Sequence, residues 1–307
     1  MWWILLPIGS AILYTLSAFT DNYLTDVHFK KRDPAPLVLF GAISAIICIG
    51  VMVAWRGLDI FGGAGMAAFG LLAAGVIHIV VQLPYYQALK TEDTTGATVL
   101  MQAYPVLALV LGVLVLGERI SVLQGLAFVL VLVAAMILIA GTRTKRGFKL
   151  GIKTGGLIGL ACLGWAVGDV IFVVFGRGVE YYEDAYVWFL LGVLGTIVLL
   201  GLVRRDWMRV VREFLVEQRS HKMRVVLMNE MFDSMAEMLF RAALLAAPIA
   251  LVTVTSQSAQ MVLTFGLGIG LTLLIPRFGR EKLKRRQILI HLIATVLVVV
   301  GIVMMKL

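Results

Sequence analysis

Charge is scarce in this chain. Asp, Glu, Lys and Arg make up 15% of its 307 residues, against 61% hydrophobic ones. A soluble domain is about a quarter charged and roughly half apolar. With so few polar groups to cover an outer surface, a water-soluble fold is excluded and a polytopic membrane protein is expected. Cysteine is nearly absent: Cys48 and Cys162 stand alone in apolar runs, which excludes a disulfide framework or a cysteine metal site. No HExxH, P-loop, serine-protease or dinucleotide fingerprint occurs, so zinc hydrolysis, ATP-driven work and hydride transfer have no residues to carry them. No enzyme activity, cofactor or metal is expected. Acidic residues are outnumbered, 18 to 27, for a net charge of +9. Basic residues left in cytoplasmic loops explain that excess without any nucleic-acid partner.

What the chain has in abundance is long apolar runs. Crossing about 30 Å of hydrocarbon takes roughly 20 residues of helix. Ten windows meet this length: about 2–24, 36–55, 65–88, 95–117, 121–141, 152–175, 184–203, 225–246, 249–274 and 288–305. Continuous runs such as VLALVLGVLVLG lack the alternation of a barrel strand, so the fold class is all-α. Of the 27 Lys and Arg residues, 22 fall in or at the rims of the odd-numbered gaps between windows. That bias places the odd gaps in the cytoplasm and both termini outside, in the plasma (inner) membrane. The first window, MWWILLPIGS onward, lacks a basic leader and a cleavage-type ending, and is expected to be a span, not a signal peptide.

Three of these gaps stand out. GTRTKRGFKLGIK (141–153) divides the chain nearly in half and is the expected linker. In residues 204–224, Trp207, Val210, Val211, Phe214 and Leu215 share one helical face, which predicts a short helix in the headgroup layer. RFGREKLKRR (277–286) reads as a solvated basic turn.

The halves echo each other. At an offset of 155 residues, Gln102 falls on Gln257, His78 on Asp233, Gln82 on Glu237 and Tyr86 on Arg241. Five spans in each half is an odd number, so the halves (1–145 and 146–307) are expected to insert in opposite orientations. Inverted repeats of this kind build many secondary transporters, with a site near midplane between them. The stretch YYQALKTEDTTGATVLMQAYPVLALVLGVLVLGERISVLQGLAFVLVLVAAMIL carries Ala88-Leu89, Pro105-Val106, Gly117-Glu118 and Gly125. In these it resembles the EamA-type signature of the drug/metabolite transporter superfamily. The second half departs from it, with Gln260 where proline is usual and Arg280-Glu281 in place of Gly-Glu. The resemblance implies ten transmembrane helices in two inverted five-helix repeats around a central cavity, moving small metabolites or drugs.

Ionisable residues inside spans cost about 2.5–3.5 kcal/mol each on insertion scales and normally face a bundle interior or water. NEMFDSMAEMLFRAAL (229–244) places Glu230, Asp233, Glu237 and Arg241 at spacings of 3, 4 and 4, on one face of the eighth span. Glu237 and Arg241 can pair across one turn. Glu230, Asp233 and Glu237 are candidates for binding a proton or a cationic solute group. Arg241 would hold one carboxylate ionised or meet a substrate anion. Asp169 in the sixth span, His78, Gln82 and Tyr86 in the third, and Gln102 and Gln257 in the fourth and ninth complete the candidate set. Asp21 reads as interfacial, His291 as structural, and Glu118 as a turn or gating residue. Residues 166–169, AVGD, resemble the GxGD of aspartyl intramembrane proteases, but Ala166 takes the place of the first glycine and no partner Tyr-Asp is found.

These observations point to a secondary-active exporter or exchanger of a small-molecule solute, working by alternating access in the lipid bilayer, with protons as a possible coupling ion. Two alternatives stay open. The polar residues could form a closed seam satisfied by His78, Gln82 and Gln257, and the chain could be a non-transporting scaffold or sensor acting through its basic loops. Substrate and oligomeric state are not encoded in any motif.

Overall fold

In lipid the backbone has no water to bond, and a helix satisfies its N–H and C=O groups within one segment. The computed structural model describes residues 2–28, 35–89, 101, 103–142, 152–217, 221–274 and 285–306, and among these the regular elements are all helices. In chain order they are α1 (Leu5–His28), α2 (Gly41–Arg56), α3 (Ala67–Val80), α4 (Gln82–Leu89), α5 (Ala103–Leu116) and α6 (Val122–Thr142). The second half follows with α7 (Ile152–Gly176), α8 (Tyr182–Val203), α9 (Arg205–Glu217), α10 (His221–Ala246), α11 (Ile249–Leu274) and α12 (Arg285–Lys306). Each apolar window holds helix. Val38–Arg56, Ala67–Ala88, Thr154–Gly176 and Tyr182–Val203 are long and apolar enough to cross a membrane; Leu5–Thr20, Ala103–Leu116, Val122–Ile137, Ile249–Thr264 and Leu292–Met305 are shorter apolar helices. Gln102, most of the linker 141–153 and most of the basic turn 277–286 lie outside the described residues, as do the side chains of Asp21 and His291.

The third window is two helices. α3 stops at Val80 and α4 starts at Gln82, two residues before Pro84. Proline has no N–H to donate and its ring crowds the preceding turn. α11 carries Gln260 at the place equivalent to Pro105 and runs unbroken.

Helices from the two halves interleave. α1 packs on α10 and α11, while α7 packs on α3, α4 and α5; α2 meets α8, α5 meets α11, and α6 meets α12. α3 and α8 approach through glycines. A Cβ on Gly75 would stand 2.1 Å from the Phe189 carbonyl oxygen, and one on Gly192 would stand 2.2 Å from that of Leu72. Outward faces are apolar: Trp55, Leu114, Val122 and Leu202 are all more than two-thirds exposed, a surface suited to acyl chains and not to water.

α9 forms where the amphipathic pattern predicts it, with a different covering. Trp207 is 6% exposed and packs into the protein core, with Val211 against it. Val210 packs around Phe40 and Val226. At least part of its apolar face is therefore spent on the bundle and not on the headgroup layer. At its start, Arg204 stacks on Trp207 at 4.5 Å and donates to Asp206 at 2.9 Å, which holds that carboxyl below its usual range.

Candidate functional site

The charges of α10 point inward. Met228, Met231 and Met235 are about half exposed, whereas Glu237 is 8% and Arg241 2% exposed. Helical periodicity separates the two sets onto opposite faces. The helix therefore turns its thioethers outward and keeps its ionisable groups inside.

Arg241 anchors the cluster. Its Nε donates to Glu237 Oε1 at 2.6 Å, one helical turn away, and its Nη1 donates to Asp169 Oδ1 on α7 at 2.8 Å. Tyr14 of α1 donates its hydroxyl to the other oxygen of Glu237, and Tyr104 of α5 does the same for Asp169. The remaining guanidinium nitrogen, Nη2, lies 3.4 Å from His78 Nδ1. A guanidinium only donates, so Nδ1 accepts and the ring proton sits on Nε2. The side-chain amide of Gln82 lies 3.3 Å from Nε2 and, assigned with its oxygen turned toward the ring, accepts that proton. Phe189 and Phe172 cover the guanidinium at 4.4 and 5.1 Å from their ring centroids. The five helices α1, α3, α5, α7 and α10 thus meet on one cation. One guanidinium faces two carboxylates, which leaves one negative charge in the group.

Above this floor lies a cavity of about 280 Å³. Glu230, Asp233, Glu237, Arg241, Asp169, His78, Gln82, Tyr86 and Gln257 all line it. Every described candidate from the sequence is brought to one place. Eleven residues at about 1.5 Å rise separate Arg241 from Glu230 by roughly 16 Å along α10, so the charged groups span the cavity's depth. At the Glu230 end Ser44 of α2 donates to Glu230 Oε2 at 3.3 Å. Ser17 and Thr20 of α1 both donate to Asn229 Oδ1. Tyr182 and Tyr186 of α8 donate to the α10 carbonyls of Met238 and Ser234, at 2.6 and 3.4 Å.

Part of α10 is therefore a polar seam, with His78 and Gln82 taking part as the alternative reading expected and with Tyr14 and Asp169 added. Tyr14, Asp169 and His78 satisfy Glu237 and Arg241; Gln82 acts through His78. Tyr14, Ser44 and Asn229 were not in the sequence-derived set. Tyr104 carried a signal, standing two residues from Gln102 ahead of a proline. The others pair across helices with no shared local pattern.

Beyond the floor, toward the even-numbered gaps, ion pairs close the bundle. Glu118 accepts from the backbone N–H of Ile249, the first residue of α11, at 3.1 and 2.9 Å, and pairs with Arg177 at 3.2 Å. Its carboxylate caps a helix start and meets the positive end of its dipole. Arg56 lies 3.7 Å from Asp184 and 3.8 Å over the Tyr181 ring. Trp188 donates to the Phe61 carbonyl at 3.2 Å.

No curated protein matches this chain. A crystal structure of a protein 16% identical aligns with it at a TM-score of 0.68, covering 96% of this chain and 95% of the other; at that identity the likeness shows the fold. The model of the EamA-like transporter family matches residues 1–140. The inward-facing polar set, the apolar exterior and that match agree: over its first 140 residues this multi-pass membrane protein is similar to the EamA-like transporter family of the drug/metabolite transporter superfamily.

Proposed function

We propose that the protein is a secondary-active transporter of small solutes in the plasma membrane, exporting or exchanging them by alternating access. The observation that carries this reading is a cavity lined by helices of both halves, with its ionisable groups inside and its exterior apolar. Two inverted five-helix repeats, 1–145 and 146–307, form the bundle of ten spans. Support for the repeat comes from the packing: exchanging the halves turns the contacts of α1 with α10 and α11 into those of α7 with α3, α4 and α5. The pairs α2–α8, α5–α11 and α6–α12 map onto themselves. In this reading the Glu118–Arg177 and Arg56–Asp184 contacts hold the even-gap face shut while the cavity is reached from the odd-gap side.

Cysteine accessibility separates a transporter from a scaffold with a dry interior. With Cys48 and Cys162 replaced by Ala, Gln257→Cys is expected to react with a water-soluble thiol reagent supplied on the odd-gap side. Adding Glu118→Ala removes the α11 cap and the Arg177 partner, and should raise labelling from the even-gap side several-fold. No labelling from either face would favour the scaffold.

Proton coupling is assigned to Glu230 and Asp233. In proteoliposomes with an imposed pH gradient, a panel of labelled solutes identifies those whose uptake follows the gradient. The Glu230→Gln/Asp233→Asn double variant is expected to lose that dependence, and a parental pH profile in the variant would remove the coupling claim.

A further inference from the structure

Resting on the transport reading, the cavity's charge and shape also select a class of solute. Its described basic groups are Arg241 and His78, both on the floor; its acids are Asp169 on α7 and Glu230, Asp233 and Glu237 on α10. No Lys and no second Arg stands among the described lining residues. Arg241 is 2% exposed, holds two carboxylates at 2.6 and 2.8 Å and is covered by two phenyl rings. A solute anion could reach it only by displacing a carboxylate, leaving that carboxylate buried without its counter-charge, a costly exchange. Among the described lining residues, the guanidinium that could have greeted a carboxylate or phosphate substrate is thus already neutralised, and the acids around it outnumber it.

The upper wall is aromatic. Tyr85 of α4 meets Trp165 of α7 edge to face, at 5.4 Å between centroids, and lies 5.9 Å from Tyr86. Ring faces carry negative potential and attract a cation or stack on a flat apolar body. At about 280 Å³ the space sits just under the usual 300–1,000 Å³ of small-molecule sites, which suits one small solute.

We infer that the cavity takes a small organic cation with a flat apolar body: an amine whose ammonium meets the Glu230–Asp233 wall while its ring lies against Tyr85, Tyr86 and Trp165. Ser44 donates to Glu230, and a carboxylate offers about four acceptor positions in all.

Three matched probes test this by isothermal titration of the purified full-length protein in detergent: 2-phenylethylammonium, 2-phenylethanol and 3-phenylpropionate. The ammonium is expected to bind at least about tenfold tighter than either of the others, corresponding to a charged hydrogen bond. Glu230→Gln and Asp233→Asn should each weaken the ammonium by about tenfold and leave the alcohol unchanged. Equal or tighter binding of the propionate overturns the inference. So does an ammonium preference that survives both substitutions, or no binding of any probe. Because titration reads binding alone, cation binding without flux in proteoliposomes would sink the transport reading and spare this one. Flux of anions would do the reverse.

Discussion

Arg241→Met is expected to destabilise the folded protein by about 3–5 kcal/mol, the usual cost of breaking a buried ion pair by removing one partner. The substitution leaves Asp169, 1% exposed, and Glu237, 8% exposed, buried together without the guanidinium that bridged them. Thermal unfolding in detergent and the yield of monodisperse protein are the measurements. A rescue variant guards against the trivial outcome. Asp169→Asn and Glu237→Gln added to Arg241→Met remove all three charges, while Tyr14 and Tyr104 keep acceptors for their hydroxyls. This neutral triple should recover most of the lost stability, because a buried ionic group can often be replaced by uncharged residues of similar size without net loss. A single variant as stable as the parent would mean that the pairing does not hold the five helices together.

The second large effect is steric. Gly75→Val and Gly192→Val each push a side chain into backbone: the Phe189 carbonyl at 2.1 Å in one case, the Leu72 carbonyl at 2.2 Å in the other. A flexible side chain could swing away; a helix backbone cannot. α3 and α8 must separate, and the cost is about 3 kcal/mol or more, at the upper end for overpacking. The damage reaches the site. His78 on α3 sits edge to face with Phe189 on α8 at 5.5 Å, and Phe189 covers Arg241, so cavity binding should fall along with stability. Gly195 of α8 offers the control, since a Cβ there meets nothing within 4 Å. Gly195→Ala is expected to leave unfolding unchanged within about 0.5 kcal/mol. Equal losses at Gly195 and Gly192 would mean that close approach is not what makes the Gly192 substitution costly, because Gly is a poorer helix former than either Ala or Val.

Much of this architecture is legible in the sequence because lipid imposes simple rules. Apolar length marks the windows, the spacing of Glu230, Asp233, Glu237 and Arg241 marks an inward stripe, and Pro84 marks the break at Val81. All depend on residues a few positions apart. What escapes is whatever depends on a partner chosen by packing. Nothing near Tyr14 announces Glu237, 223 residues away, and nothing near Glu118 announces the start of α11. The approach of Gly75 to α8 is equally silent, since most glycines in the chain look alike until helices are docked. The amphipathic segment 204–224 is the instructive intermediate. Its pattern specifies that one face is covered, not by what, and Trp207 turns out to be covered by protein.

The two-sided character of α10 has a mechanical consequence. Slipping the helix by one residue turns it by about 100°, which would carry carboxylates toward acyl chains and methionines toward the interior. Solvent contrast therefore fixes the angle at which this rod stands in the membrane, independently of the loops that join it. Rolling about its long axis is closed to it, and tilting or sliding is the freedom that remains when the bundle rearranges.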